Sequence, residues 1–266
     1  MRSALVAGQF YPGQKAALRQ TVHALMPANK EFEPAIAVMS PHAGYIYSGK
    51  VAGHTFSSID IPEEVIILGP NHHGRGHAAA VYAHGAWETP LGSTAIAEDL
   101  AAKILAECPM AAEDRVAHRF EHSLEVQLPF LQVRAPQARI VPICISHLPL
   151  TTLLALGDGL ARVIVSRPVA PLMVASTDMT HYESGETARE KDFLALDKVL
   201  ALDPEGLFRV VMERQISMCG VFPTVVMLQA AKALGAEGAT LIEYSNSGDV
   251  TGDQSEVVGY AGVRIF

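Results

Sequence analysis

The 266-residue chain is short of cysteine, of basic charge and of long apolar runs, and each shortage removes a class of function. Three cysteines, Cys108, Cys144 and Cys219, make no disulfide framework, so each is expected to be reduced. Lys and Arg number 20 against 28 Asp and Glu, an acidic excess that argues against nucleic acid as a general partner. No basic run marks a membrane surface, and no uninterrupted apolar run approaches the ~18 residues of a spanning helix. The apolar stretch within Met1–Phe10 is too short for a signal sequence, so a cytoplasmic location is expected. No low-complexity linker and no repeat of fixed period interrupts the chain, and the expectation is one domain over residues 1–266. What is abundant is apolar material, 49% of the residues, which is ample for a large core.

Much of that apolar material comes in short runs that stop at histidine or aspartate. Val65-Ile66-Ile67-Leu68 reads as a strand buried on both faces. Gly69-Pro70-Asn71 ends it with turn chemistry, and His72-His73 follow at once. The same grammar recurs where Ile36–Met39 runs into Ser40-Pro41-His42 and where Ile140–Ile145 runs into Ser146-His147. It recurs again where Pro171–Ala175 runs into Ser176-Thr177-Asp178-Met179-Thr180-His181. In open α/β sheets the ligand crevice lies outside the carboxyl ends of the strands, so four predicted strands deliver chemistry-bearing residues to one edge.

Between these strands the spacing predicts helices. Leu18, Val22 and Leu25 repeat with helical period after a turn at residues 8–13, and Pro27 to Pro34 reads as a polar connector. Short helices are expected over Val51–Phe56 and Glu98–Glu107, with Trp87–Gly92 as a loop and Ala78–Tyr82 as a further strand. His122 and Glu125 are three apart, which on a helix puts them on one face, with Pro129 as a kink. Helices follow over Thr151–Arg162, around Phe193–Leu200, from a capped start at Asp203-Pro204, and over Pro223–Ala233 closed by Gly235. Thr240–Tyr244 and Glu256–Phe266 read as the last strands. The fold class is α/β, a central mostly parallel or mixed sheet flanked by helices.

Neutral imidazole is the commonest protein metal ligand, so His42 and His72, at neighbouring strand ends, could share one ion. The plainer alternative is that each bonds only its own loop. Asp178 and His181, read as one helical turn apart on the same side, could supply a carboxylate and an acid/base imidazole; alternatively Ser176, Thr177 or Asp178 simply caps a following helix. Cys108 and Cys144 fit inert core positions, whereas Cys219 sits at a break between helices, where a helix N-terminus would favour thiolate. His122 and Glu125, with His73, are candidates for orienting a ligand from behind, against the plainer reading of a surface pair. His23, His54, His77, His84 and His118 carry no assignment.

Taken together, Gly8-Gln9-Phe10-Tyr11-Pro12, Ser40–Tyr45, Leu68–His73, Glu121–Pro129, the Ser-x-Asp-x-x-His segment at 176–181 and Met218-Cys219-Gly220 resemble the Memo family. The match is to the bacterial and archaeal type, AmmeMemoRadiSam system protein B. The resemblance implies a fold similar to class III extradiol dioxygenases, which hold non-haem Fe(II) with two histidines and a carboxylate. It implies metal ligands at His42, His72 and Cys219, the cysteine replacing the carboxylate, with Asp178 and His181 nearby. Fe(II) is the metal implied, with Cu or Zn as alternatives, thiolate being a good ligand for each. An AMMECR1-like protein and a radical-SAM protein are the partners implied.

The function expected is a metal-dependent redox protein that oxidises a small molecule with O2, His181 acting as acid/base and Asp178 orienting it. A zinc-dependent hydrolase is the second reading, and a peptide- or protein-binding module on a dioxygenase-like scaffold is the third.

Overall fold

Strand Glu64–Pro70 is buried along its whole length, and its alternate side chains feed two different cores. Ile66 and Leu68 join one apolar cluster and Val65 and Ile67 the other. Each such side chain contributes about 1.5–3 kcal/mol on leaving water, so a strand of this composition is stable only between two helical layers. The computed structural model describes residues 1–28 and 32–266; the expected connector at 27–34 falls in part outside the described residues.

In chain order the strands are β1 (Ala37–Ser40), β2 (Glu64–Pro70), β3 (Ala79–Val81), β4 (Ala86–Thr89), β5 (Gly92–Ala95), β6 (Ala112–Glu113), β7 (Arg139–Ile145), β8 (Leu172–Ser176), β9 (His181–Glu183), β10 (Ala239–Asn246) and β11 (Val257–Ile265). The helices are α1 (Lys15–Leu25), α2 (Tyr45–Ser57), α3 (Glu98–Glu107), α4 (Leu128–Arg134), α5 (Leu150–Val165), α6 (Gly185–Leu200), α7 (Pro204–Glu213), α8 (Val221–Ala233) and the short α9 (Gly248–Thr251).

Among the described residues the main sheet runs β10-β11-β1-β8-β2-β7-β3-β6, with β9 added alongside β11. Its centre, β1-β8-β2-β7, is parallel, and β3 and β11 join it antiparallel on either side. The sheet is therefore mixed, as expected for the α/β class. Residues of α1, α2 and α4 cover one face, and residues of α3, α5, α6, α7 and α8 cover the other.

Four local expectations need correction. Asp178 and His181 are not a helical turn apart, because His181 opens the strand β9, paired with Val258 of β11. The Trp87–Gly92 segment is the hairpin β4–β5, with Trp87 fully buried. Glu125 opens a short 3-10 turn ahead of α4, so His122 and Glu125 share no helical face. Pro129 lies in the first turn of α4, where a missing N–H costs nothing, and it makes no kink.

Glu125 instead anchors the N-terminal strap. Its fully buried carboxylate accepts from Arg2 at 2.6 Å, from the backbone of Leu5 and Val6, and from the Tyr11 hydroxyl. Arg2 also donates to the carbonyls of His118 and Glu121, and its guanidinium stacks over Trp87. Removing one partner leaves the other charge buried and unpaired, a loss of about 3–5 kcal/mol. Glu125→Ala and Arg2→Ala should each lower the unfolding free energy measured by denaturant melts by that amount, whereas a loss under about 1 kcal/mol would remove the strap from the stability of the fold.

Candidate metal site

The parallel strands end side by side, and their carboxyl ends build the site. His42 leaves β1, His72 leaves β2, and Asp178 leaves β8. His122 arrives from the loop before α4, and Cys219 stands two residues ahead of α8. Ring nitrogens of His42, His72 and His122 all lie within 4.8 Å of one another, an arrangement able to hold a metal ion. His72 and His122 stack with ring centroids 4.9 Å apart, and His42 meets His72 edge-on at 5.3 Å.

Hydrogen bonds fix which nitrogen of each ring is free. The Ser176 hydroxyl spends its one proton on the Ser123 carbonyl at 2.7 Å and accepts from the Gln127 amide at 2.8 Å. Against that oxygen, at 2.9 Å, His42 Nδ1 must be the donor, so the lone pair sits on Nε2. His72 Nδ1 faces Glu121 Oε1 at 2.9 Å, while its backbone N–H donates to the other carboxylate oxygen. A carboxylate behind an imidazole sets its tautomer and raises its basicity, the usual support for a metal-ligating histidine.

The electrostatics favour neutral imidazoles at His42 and His122 and the protonated form at His72. Burial, then the neighbouring His72, lowers the His42 pKa to about 3. Burial and the adjacent His42 lower His122 to about 4. For His72 burial pulls down, but the hydrogen bond and charge of Glu121 outweigh it and the net shift is upward. Burial alone would raise Glu121; the bond from His72, its charge and the Ser123 N–H hold that carboxylate well below the usual range.

Cys219 is half-buried, with Sγ 3.3 Å from His42 Nε2 and accepting the Asp178 backbone N–H at 3.3 Å. Helix α8 does begin just beyond it, yet burial and the Asp178 charge push the thiol pKa up rather than down. The Asp178 carboxylate accepts the His42 backbone N–H at 2.8 Å and that of Ala43, pinning the loop that carries His42. His181 Nδ1 donates to the Ser217 carbonyl at 3.0 Å, which leaves Nε2 free, and the ring borders a cleft of about 590 Å³ with His42, His72, His122 and Asp178.

Other candidates lie elsewhere. His73 is exposed with its ring against Phe120, and the His147 ring packs on Phe222. Glu125 faces the N-terminal strap, so it orients no histidine. The residues that do orient them, Glu121, Ser176 and Gln127, are ones the sequence reading passed over. The signal for Glu121 was its place beside His122 in the Glu-His-Ser segment, obscured by assuming helical spacing there.

A family model described as Memo-like protein matches residues 2–264. The chain belongs to the Memo family. Among relatives of this Memo chain, a MEMO1 family protein of Aquifex aeolicus is 43% identical, over 99% of this chain and 98% of its own length. One of Methanopyrus kandleri is 42% identical over 98% of each, and one of Methanocaldococcus jannaschii 38% identical over 98% of this chain and 97% of its own. A solved structure of an uncharacterized protein from Escherichia coli K12 shares the fold at TM-score 0.55 and 15% identity, covering 86% of this chain and 98% of that one.

The lowered histidines give a pH dependence with a definite sign. His42, His122 and the buried His118, lowered by burial to about 4, are neutral in the folded protein well below pH 6.5. The unfolded chain binds more protons in that range, so stability is full above about pH 6.5 and falls as pH drops towards 4. Each group contributes up to about 1.4 kcal/mol per pH unit, and the raised His72 offsets part of the sum. Denaturant melts of metal-free protein should show that decline, and His118→Phe should flatten it; a flat profile from pH 6.5 to 4.5 would contradict the assignment of neutral buried rings.

Proposed function

We propose that this Memo protein is a metal-dependent oxidoreductase that holds one iron or copper ion through His42, His72 and Cys219 and uses O2 to oxidise a small substrate. The observation that carries the reading is the convergence of imidazoles whose far nitrogens are already engaged by Ser176 and Glu121. Ligands at about 2.1 Å (nitrogen) and 2.3 Å (sulfur) around one tetrahedral ion stand roughly 3.5 Å apart. The separation of His42 Nε2 and Cys219 Sγ, 3.3 Å, fits that spacing. Metal binding would draw the raised thiol into its deprotonated form, since a coordinating thiol loses its proton outright. His122 is the competing donor for the third position, since the group whose ligand atoms all lie within 4.8 Å is His42, His72 and His122, whereas Cys219 comes close to His42.

Bound iron or copper would supply one-electron and O2 chemistry that no side chain of the cleft offers. The chain's own residues do the rest. His181, with Nδ1–H tied to Ser217, can take or return a proton only at Nε2, on the cleft side. Asp178 keeps Oδ1 on the backbone of residues 42 and 43 and leaves Oδ2, 3.9 Å from His42 Nε2, to orient a substrate hydroxyl.

Metal content of anaerobically purified variants and O2 consumption test the two halves separately. His42→Ala, His72→Ala and Cys219→Ala should each lose metal, whereas Glu121→Gln should weaken it by about 10–100-fold. His181→Ala should keep metal and slow substrate-dependent O2 uptake by about 10²–10⁴-fold. Full occupancy in Cys219→Ala would hand the third position to His122. Absence of substrate oxidation by any iron- or copper-loaded preparation would overturn the redox reading, and an active zinc-loaded esterase or amidase would replace it.

A further inference from the structure

The cleft over the histidines has walls of a single character at its outer end. Tyr47 enters from the first turn of α2, Tyr182 from β9 and Tyr260 from β11, and all three line it. They face a common space: the nearby Tyr47 and Tyr182 both add to the upward shift of the Tyr260 hydroxyl, whose main cause is burial. Two carboxylates, Asp253 and Glu256, complete this end from the loop before β11. Among the described residues no lysine or arginine lines the cleft, although the chain carries 20 of them.

Tyr182 is the most telling of the set. Its side chain is 75% exposed, so burial does not explain an aromatic residue there, and its backbone sits at φ 59°, a region bulky residues seldom occupy. Flanking bonds impose that backbone: Ser217 receives His181 Nδ1–H and accepts its backbone N–H, and Glu183 pairs with Lys191. The result is a ring projected beside His181, centroids 5.8 Å apart, at the cleft mouth.

Aromatic faces present negative charge, and with carboxylates at the rim they select organic cations; this is how proteins bind ammonium groups. An anionic ligand would meet Asp253 and Glu256 with no basic side chain to offset them. We infer that the substrate of this cleft is an amine or quaternary ammonium compound, its cationic group held among Tyr47, Tyr182, Tyr260 and the carboxylates of Asp253 and Glu256 while its other end reaches towards His42, His72 and His122. This rests on the proposed function for the identity of the site, and it adds the charge of what enters.

Binding, not turnover, separates the two. The full-length protein, metal-free and zinc-loaded in parallel, is titrated by calorimetry with phenethyltrimethylammonium and with its charge-reversed counterpart 3-phenylpropionate. The cation should bind at least 10-fold more tightly in either form, and its affinity should fall as salt rises because the rim carboxylates are exposed. Asp253→Asn/Glu256→Gln and Tyr182→Ala should each weaken cation binding by about 3–10-fold, with metal content and melting temperature unchanged. Equal or tighter binding of 3-phenylpropionate, or cation affinity unmoved by both variants, would overturn the inference. Because the metal-free arm scores the cation alone, a cleft that binds the cation but never holds iron or copper would sink the metal reading and leave this one standing.

Discussion

The site depends on keeping three imidazoles close together, His42 buried, His122 half-buried and His72 at the surface, and one carboxylate does most to make that possible. Protonated, His42, His72 and His122 would repel one another in a poorly solvated pocket. Glu121 raises the basicity of His72, bonds its backbone as well as its ring, and lies 3.5 Å from His122 Nδ1. Glu121 is itself held from behind, since Arg2 donates to its carbonyl and Ser123 N–H donates to its carboxylate. The N-terminal strap and the histidine cleft are thus two ends of one hydrogen-bonded assembly. Its members come from residue 2, from the loop before α4 and from the ends of three strands.

That assembly explains why so much polar material sits inside an apolar protein. Ser176, Glu121, Glu125 and Gln127 are all fully buried. Burial of such groups is tolerable when they are bonded, and all four bond to backbone or to a site histidine, with Gln127 Oε1 left without a partner among the described residues. The same logic gives Asp178 its place. It pins the loop carrying His42, and its own backbone N–H meets Cys219, so the cysteine and the first histidine are positioned by one residue.

Much of this was legible in the chain. Runs such as Val65–Leu68 carry a strand signal in their β-branched residues and a stop signal in Gly69-Pro70, so the ends of β1, β2 and β8, with His42, His72 and Asp178, could be placed from sequence. Helices with strong period or capping chemistry, α3 and the Asp203-capped α7, fell where expected. The segment from Glu121 to Gln127 did not, because its contacts are long-range: Glu125 answers Arg2 across 123 positions and Glu121 answers His72 across 49. Local spacing holds no trace of such pairs. His181 was misplaced onto a helix for a related reason, since a three-residue strand is decided by its partner, Val258, not by its own sequence. The tyrosine walls of the cleft were invisible for the same cause: Tyr47, Tyr182 and Tyr260 come from three separate elements.

X-ray absorption at the metal edge reads whether this edge of the sheet holds a transition metal with a thiolate among its ligands. Anaerobically iron-loaded protein should show an inner shell of nitrogen or oxygen donors near ~2.1 Å with one sulfur at ~2.3 Å, the sulfur vanishing in Cys219→Ala. A shell of nitrogen and oxygen alone in the unmodified protein, unchanged by Cys219→Ala, would contradict thiolate ligation.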